Sequence, residues 1–209
     1  MRAAVRALVG HEIRLLVSLV LWGGRRLHGV GDGRAFGYAR GQGAVMAGFG
    51  FVCLVETFTM SVLLRDRPTA HRVVLVLDLY TLLFVVGLYA AMAVRPHVLY
   101  GRELRVRYAG HVDLRIPLER IAAVRRERAH THERADGELN LAVGSQTSLT
   151  LELAEPVPHV TLLGRRRDLT LVRLHADDAD RLVQAVEQAV VHALTRERNA
   201  PSGVPDRPR

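Results

Sequence analysis

The chain has 209 residues, 49% of them apolar, and a formal charge of +8. Every basic residue other than histidine is arginine, and the single cysteine, Cys53, excludes an intramolecular disulfide and a cysteine-built metal centre. The charge flanks two long apolar runs, so the high pI of 10.8 fits a membrane-bordering chain better than a nucleic-acid binder.

Residues 3–22 predict a helix: Val5, Leu8, Val9, Leu15, Leu16, Leu19 and Val20 recur at helical spacing, with Arg2, Arg6, Arg14 and Ser18 mostly on the other side. The stretch is too short and too charged to span a bilayer. Two readings fit it: a helix lying in the membrane surface, with Trp22 and Arg25–Arg26 at the headgroup level, or a helix packed on a folded domain. Glu12 and Arg14 interrupt its apolar segment and no small-residue cleavage site follows, which argues against a cleavable signal peptide. Gly23–Gly24 are expected to stop the helix. Gly29–Gly33 is expected to be a flexible link to Phe36, Tyr38 and Arg40, read as an interfacial collar.

Gly41–Leu64 and Val73–Val94 are the two apolar runs. About 20 helical residues cross a hydrocarbon core of about 30 Å, so each run is long enough to span. A backbone in lipid must satisfy its own hydrogen bonds, which makes both runs helices. The connection Arg65–Arg72 is short, so the pair is an antiparallel hairpin. Arginines 25, 26, 34 and 40 precede the first span and arginines 95, 102, 105 and 107 follow the second, against three in the loop. That bias places both termini on the cytoplasmic side of a bacterial inner membrane. Glu56 and Asp78 are the acids within the spans and fall at similar depths. One reading makes them a protonatable pair or a contact to partner helices. The other has them hydrogen-bonded inside the hairpin, near Thr57, Thr59 or Tyr80. Cys53 reads as a small lipid- or helix-facing residue.

Beyond Pro96 the apolar period becomes two. Leu104–Tyr108 and Val112–Ile116 alternate, and a three-residue turn at Ala109–His111 pairs Tyr108 with Val112, Arg107 with Asp113 and Val106 with Leu114. The apolar side chains then share one face and Arg107 meets Asp113 on the other. Ile121–Val124 is a short apolar run, and residues 125–138 read as a charged, mobile loop. Leu139–Val143, Ser148–Leu153, Val160–Leu163 and Leu169–Leu174 are further predicted strands. Asp177 reads as the N-cap of a last amphipathic helix, with Leu182, Val186, Ala189, Val190, Ala193 and Leu194 in one stripe. Asn199–Arg209 is rich in Pro, Gly and Arg and is expected to be disordered. The predicted organisation is therefore 1–40 (helix and linker), 41–95 (transmembrane hairpin), 96–197 (β-domain with closing helix) and 198–209 (tail).

Leu104-Arg-Val-Arg-Tyr108, a turn, and then Arg115-Ile-Pro-Leu-Glu-Arg-Ile121-Ala-Ala-Val124 resemble the bacterial pleckstrin-homology-like domain proteins anchored by two transmembrane helices. The resemblance covers about residues 96–196, with the hairpin matching by architecture. It implies an α+β membrane protein whose antiparallel β-barrel or sandwich is capped by one helix, and a scaffold or recognition role with no reaction. Lipid-binding domains of that kind place basic residues at the first strand turn. Here the turn is Ala109-Gly110-His111 with Asp113 behind it, so phosphoinositide binding is not expected.

His130-Thr-His132-Glu133 has chelating spacing but sits in a charged loop with no fourth ligand, so no metal is expected. Gly164-Arg-Arg-Arg-Asp168 is either a solvated hairpin tip or, through Arg165, Arg166 and Arg167, a contact to anionic lipid or an acidic partner; Arg25 and Arg26 are placed in the same role. No hydrolase, nucleotide-binding or zinc-protease motif is present, and no cofactor is expected. The expected function is a membrane-anchored, non-enzymatic interaction module that binds a protein partner or itself. The alternative is an accessory subunit of a transport or envelope-maintenance complex that uses Glu56 and Asp78 in the membrane.

Overall fold

The computed structural model describes residues 2–130, 135–161 and 164–199. Three helices lead the chain: α1 (Arg2–Gly23), α2 (Gly43–Leu63) and α3 (Pro68–Val94), with the short strand β1 (Arg34–Phe36) between α1 and α2. Strands β2 (His97–Leu99), β3 (Glu103–Tyr108), β4 (Val112–Pro117), β5 (Ile121–Ala129), β6 (Glu138–Leu141), β7 (Thr147–Val160) and β8 (Arg166–Leu174) follow. Helix α4 (Ala179–Asn199) closes the described chain.

α2 and α3 are long and apolar enough to cross a membrane. At about 1.5 Å per residue they measure about 31 and 40 Å. Pro68 opens α3 at its first turn, where its missing N–H has no partner to lose, so the helix begins five residues before the apolar run and the connection shrinks to Leu64–Arg67. A core helix of a water-soluble protein buries such side chains. Here they point outward: Phe51 is 67% exposed, Phe58 73% and Val76 64%. Thr57, Thr59 and Thr81 each return their hydroxyl to the carbonyl four residues earlier, so these hydroxyls are satisfied within their own helices.

The β-region consists of two open four-stranded sheets, ordered β1-β2-β3-β4 and β5-β7-β8-β6. Neither sheet is closed, and β6 runs parallel to β8, which corrects the expectation of a wholly antiparallel barrel or sandwich. The β3–β4 register is the predicted one: Tyr108 opposite Val112, Arg107 opposite Asp113, Val106 opposite Leu114. Leu104, Val106, Leu114 and Ile116 from the first sheet join Leu149, Leu151, Val172 and Leu174 from the second. Leu182, Ala185 and Val186 of α4 complete that core, so one helix does close it.

Four local expectations are corrected. Residues 125–129 are not loop: β5 continues to Ala129 along an edge of its sheet. Val160 is not the start of a separate strand; it ends β7, which passes an irregularity between Glu152 and Val157 beside Pro156. Asp178, not Asp177, caps α4, its carboxylate accepting the Arg181 N–H at 3.1 Å. Asp177 instead accepts the Arg40 N–H at 3.1 Å, tying the entry of α4 to the chain before α2. Phe36 and Tyr38 form no interfacial collar; both are buried, because β1 pairs with β2 and draws the linker into the β-region.

Candidate functional site

α1 joins the hairpin to the β-region. Its packing seam mixes apolar and polar side chains: Leu15 and Ser18 are buried, and Gly87 of α3 lets Leu15 approach so closely that a Cβ on Gly87 would lie 3.3 Å from Leu15 Cβ. Ser18 Oγ donates to the Arg14 carbonyl at 2.6 Å and accepts from Arg95 Nε at 3.3 Å. Arg14 donates to the Gly110 carbonyl in the β3–β4 turn at 2.9 Å. Arg14 and Ser18, read from the sequence as lying opposite the apolar stripe, thus dock together with Leu15 of that stripe. Ile13, Leu16, Val17 and Val20 stay exposed, continuing the apolar surface of the hairpin. The helix therefore combines the two sequence readings: it packs on the folded structure and keeps an apolar face outside.

Under this seam lies a buried polar node. His97 is 1% exposed; its Nδ1 accepts the Arg107 backbone N–H at 3.2 Å, so Nε2 carries the proton and donates to the His175 carbonyl at 3.0 Å. Burial pushes the His97 pKa down to about 4, which keeps the ring neutral in that arrangement. Tyr38 stacks on His97 with ring centroids 4.7 Å apart, and its hydroxyl accepts the Ala109 N–H at 3.1 Å. Arg107 stands opposite Asp113 as the register predicts, with its Nε 3.9 Å from Asp113 Oδ1. Its guanidinium is buried and donates to the His28 and Gly29 carbonyls, both at 2.7 Å, while Arg105 takes Asp113 in a two-pronged pair at 2.6 and 2.5 Å. The node clamps the linker onto the first sheet. It contains no activated nucleophile, and among the described residues no group of His, Cys, Asp or Glu is placed to hold a metal. His132 and Glu133 lie outside the described residues.

The arginines predicted to meet lipid or a partner fall into two places. α1 ends in a Schellman turn: Arg26 N–H bonds to the Leu21 carbonyl at 2.9 Å and Arg25 N–H to the Trp22 carbonyl at 3.0 Å. The helix stops at Gly23–Gly24 as predicted, and Arg25 just beyond it holds the left-handed position at φ 52°. Trp22 beside it lines two cavities. One, about 440 Å³, is lined by Arg25, Arg26, Leu27, Ala93 and Val94. The other, about 370 Å³ and almost wholly apolar, runs between α2 and α3 past Ala47, Gly50, Leu82, Val86 and Tyr89. Trp22 and Tyr89 meet edge to face at 5.7 Å.

The second basic place is the β7–β8 tip. Gly164 turns at φ 82°, and Arg165, Arg166 and Arg167 are exposed, the last two already within β8. Arg167 pairs in register with His159, which lines a groove of about 420 Å³ together with His111 and Asp113. The His111 ring lies 6.1 Å from that of His11 on α1. This sets the tip on the α1 side of the β-region. Burial lowers the pKa values of His11, His111 and His159 alike.

Glu56 is exposed on the outer surface of α2. Asp78 is half-buried, and its Oδ2 is enclosed without a hydrogen-bond partner. The structure does not join them, and neither finds the expected neighbours: Thr57 and Thr59 bond within α2, and the Tyr80 hydroxyl donates to Glu12 of α1 at 3.0 Å. Cys53 is buried and so faces protein rather than the outside. The Trp22 junction and the polar node escape sequence reading, because each brings together segments that are distant in the chain, such as Trp22 with Tyr89 and His97 with His175. No known protein family, curated protein or solved structure matches this chain.

Proposed function

We propose that this chain is a membrane-anchored, non-enzymatic interaction module. α2 and α3 cross the cytoplasmic membrane of a bacterium as a hairpin with both termini in the cytoplasm, and the β-region is held against that face as a pleckstrin-homology-like recognition domain. The observation that carries the reading is the outward apolar surface shared by α1, α2 and α3, with the β-region fixed to its arginine-rich end. Two sheets around one core with a closing helix support the domain reading. Strands β4 and β5 are sheet edges linked in sequence, and such edges offer unpaired backbone groups to a partner or a second copy. Arg165–Arg167, on the α1 side, support contact with anionic headgroups.

One observation favours a second reading, an accessory subunit of a membrane complex. A carboxyl in lipid is costly, Glu56 is exposed, and among the described residues the enclosed Asp78 Oδ2 has no hydrogen-bond partner. Photo-crosslinking of the full-length protein in its native membrane separates the two. Crosslinkers at Asp113 and Arg125, on β4 and β5, are expected to capture a protein, either a partner or a second copy. Capture only from positions beside Glu56 and Asp78, abolished by E56L or D78L, would replace the first reading with the second.

A further inference from the structure

We infer that the junction at Trp22 is a binding site for one anionic glycerophospholipid, with its phosphate on Arg25 and Arg26 and one acyl chain in the cleft between α2 and α3. This rests on the membrane-spanning reading of the hairpin. Three observations converge on it. First, the two cavities share Trp22 as a wall: one carries Arg25 and Arg26 in a mostly apolar lining, and the other is almost wholly apolar. That is the division of an amphipathic molecule with a negative head.

Second, the side chains are free to bind. Among the described residues neither Arg25 nor Arg26 has an ion pair or a side-chain hydrogen bond, whereas Arg105, Arg107 and Arg126 are all engaged within the fold. The guanidinium fork suits a phosphate. Third, the turn is built at a cost. The left-handed position of a Schellman turn favours glycine, and two glycines immediately precede it, yet Arg25 occupies it. An arginine in a conformation that glycine adopts freely points to a use for its side chain.

The cleft fits an acyl chain better than a partner helix. α2 approaches α3 closely at Gly43 and Gly50, where added Cβ atoms would meet the Tyr89 hydroxyl at 3.3 Å and Leu82 at 3.7 Å, so the cleft is narrow and lies within the hairpin itself. Its mouth carries the aromatic pair Trp22 and Tyr89, the residue types that settle at headgroup depth.

Trp22 is the chain's only tryptophan and reports on both compartments. The test titrates full-length protein in mild detergent with phospholipids bearing brominated acyl chains, comparing phosphatidylglycerol with phosphatidylcholine. Phosphatidylglycerol is expected to quench Trp22 at about tenfold lower concentration, the preference two arginines near a headgroup can supply. The double variant Arg25→Gly, Arg26→Ser, whose glycine suits the turn, is expected to lose the preference and keep the phosphatidylcholine curve. Millimolar inorganic phosphate is expected to leave the quenching unchanged. Equal curves for the parent protein, a preference that survives the double variant, or reversal by inorganic phosphate would each overturn the site. Failure of the underlying reading looks different: alkaline carbonate would then release the chain from membranes, whereas a wrong lipid site leaves it embedded.

Discussion

The hairpin and the β-region treat the same side chains in opposite ways. Leu149, Leu151 and Leu174 are fully enclosed, while Leu54, Leu63 and Leu77 are more than half exposed. On the membrane-spanning reading proposed above, this difference is a change of solvent along the molecule. α1 sits between the two regions, with polar contacts toward the β-region and apolar side chains toward the outside.

That contrast can be broken most forcefully by equal substitutions on the two sides. Leu149→Ala removes a fully buried side chain and is expected to cost the β-region about 3–4 kcal/mol in urea unfolding. Leu54→Ala in α2 is expected to leave the same transition unchanged. A similar loss at both positions would mean that the hairpin packs as a soluble core.

Acid comes next. The unfolded chain binds a proton at a histidine near 6.5, whereas buried His97 resists it down to about 4. As pH falls between these values the unfolded state takes up the proton first, so stability declines through that window by about 3 kcal/mol. Urea midpoints of the β-region at pH 7 and 4.5 read this directly. The decline is expected to shrink in His97→Asn, which keeps an acceptor for the Arg107 N–H but does not titrate.

The seam of α1 is weaker. Gly87→Val adds bulk where even a Cβ is tight against Leu15, and is expected to cost about 2 kcal/mol. It should also expose the α1 backbone to hydrogen exchange. The smallest expected effect has the opposite sign: Arg25→Gly relieves the left-handed strain and should stabilise the protein by about 1 kcal/mol.

The legible parts of the fold were those with a repeating apolar signal. Both long helices follow from the length of their apolar runs, the β3–β4 register from alternation and turn length, and the stripe of α4 from helical period. β1 was hidden because three residues in a glycine-rich linker become a strand only when His97–Leu99 arrives to pair with them. The end of β5 was hidden because an edge strand exposes Arg125–Arg128 and needs no apolar alternation. Of the candidate sites, the basic residues could be named from the chain, but their surroundings could not. Nothing local in Arg107 foretells the carbonyls of His28 and Gly29, and nothing in Arg25 foretells a left-handed turn beside a cleft.

The account stands or falls on what solvates Gly43–Leu63 and Pro68–Val94. Purified full-length protein exchanged from detergent into plain buffer and examined by analytical ultracentrifugation gives the answer. Aggregation on detergent removal, reversed by supplying lipid nanodiscs, is the predicted result; a stable, monodisperse species in plain buffer would contradict it.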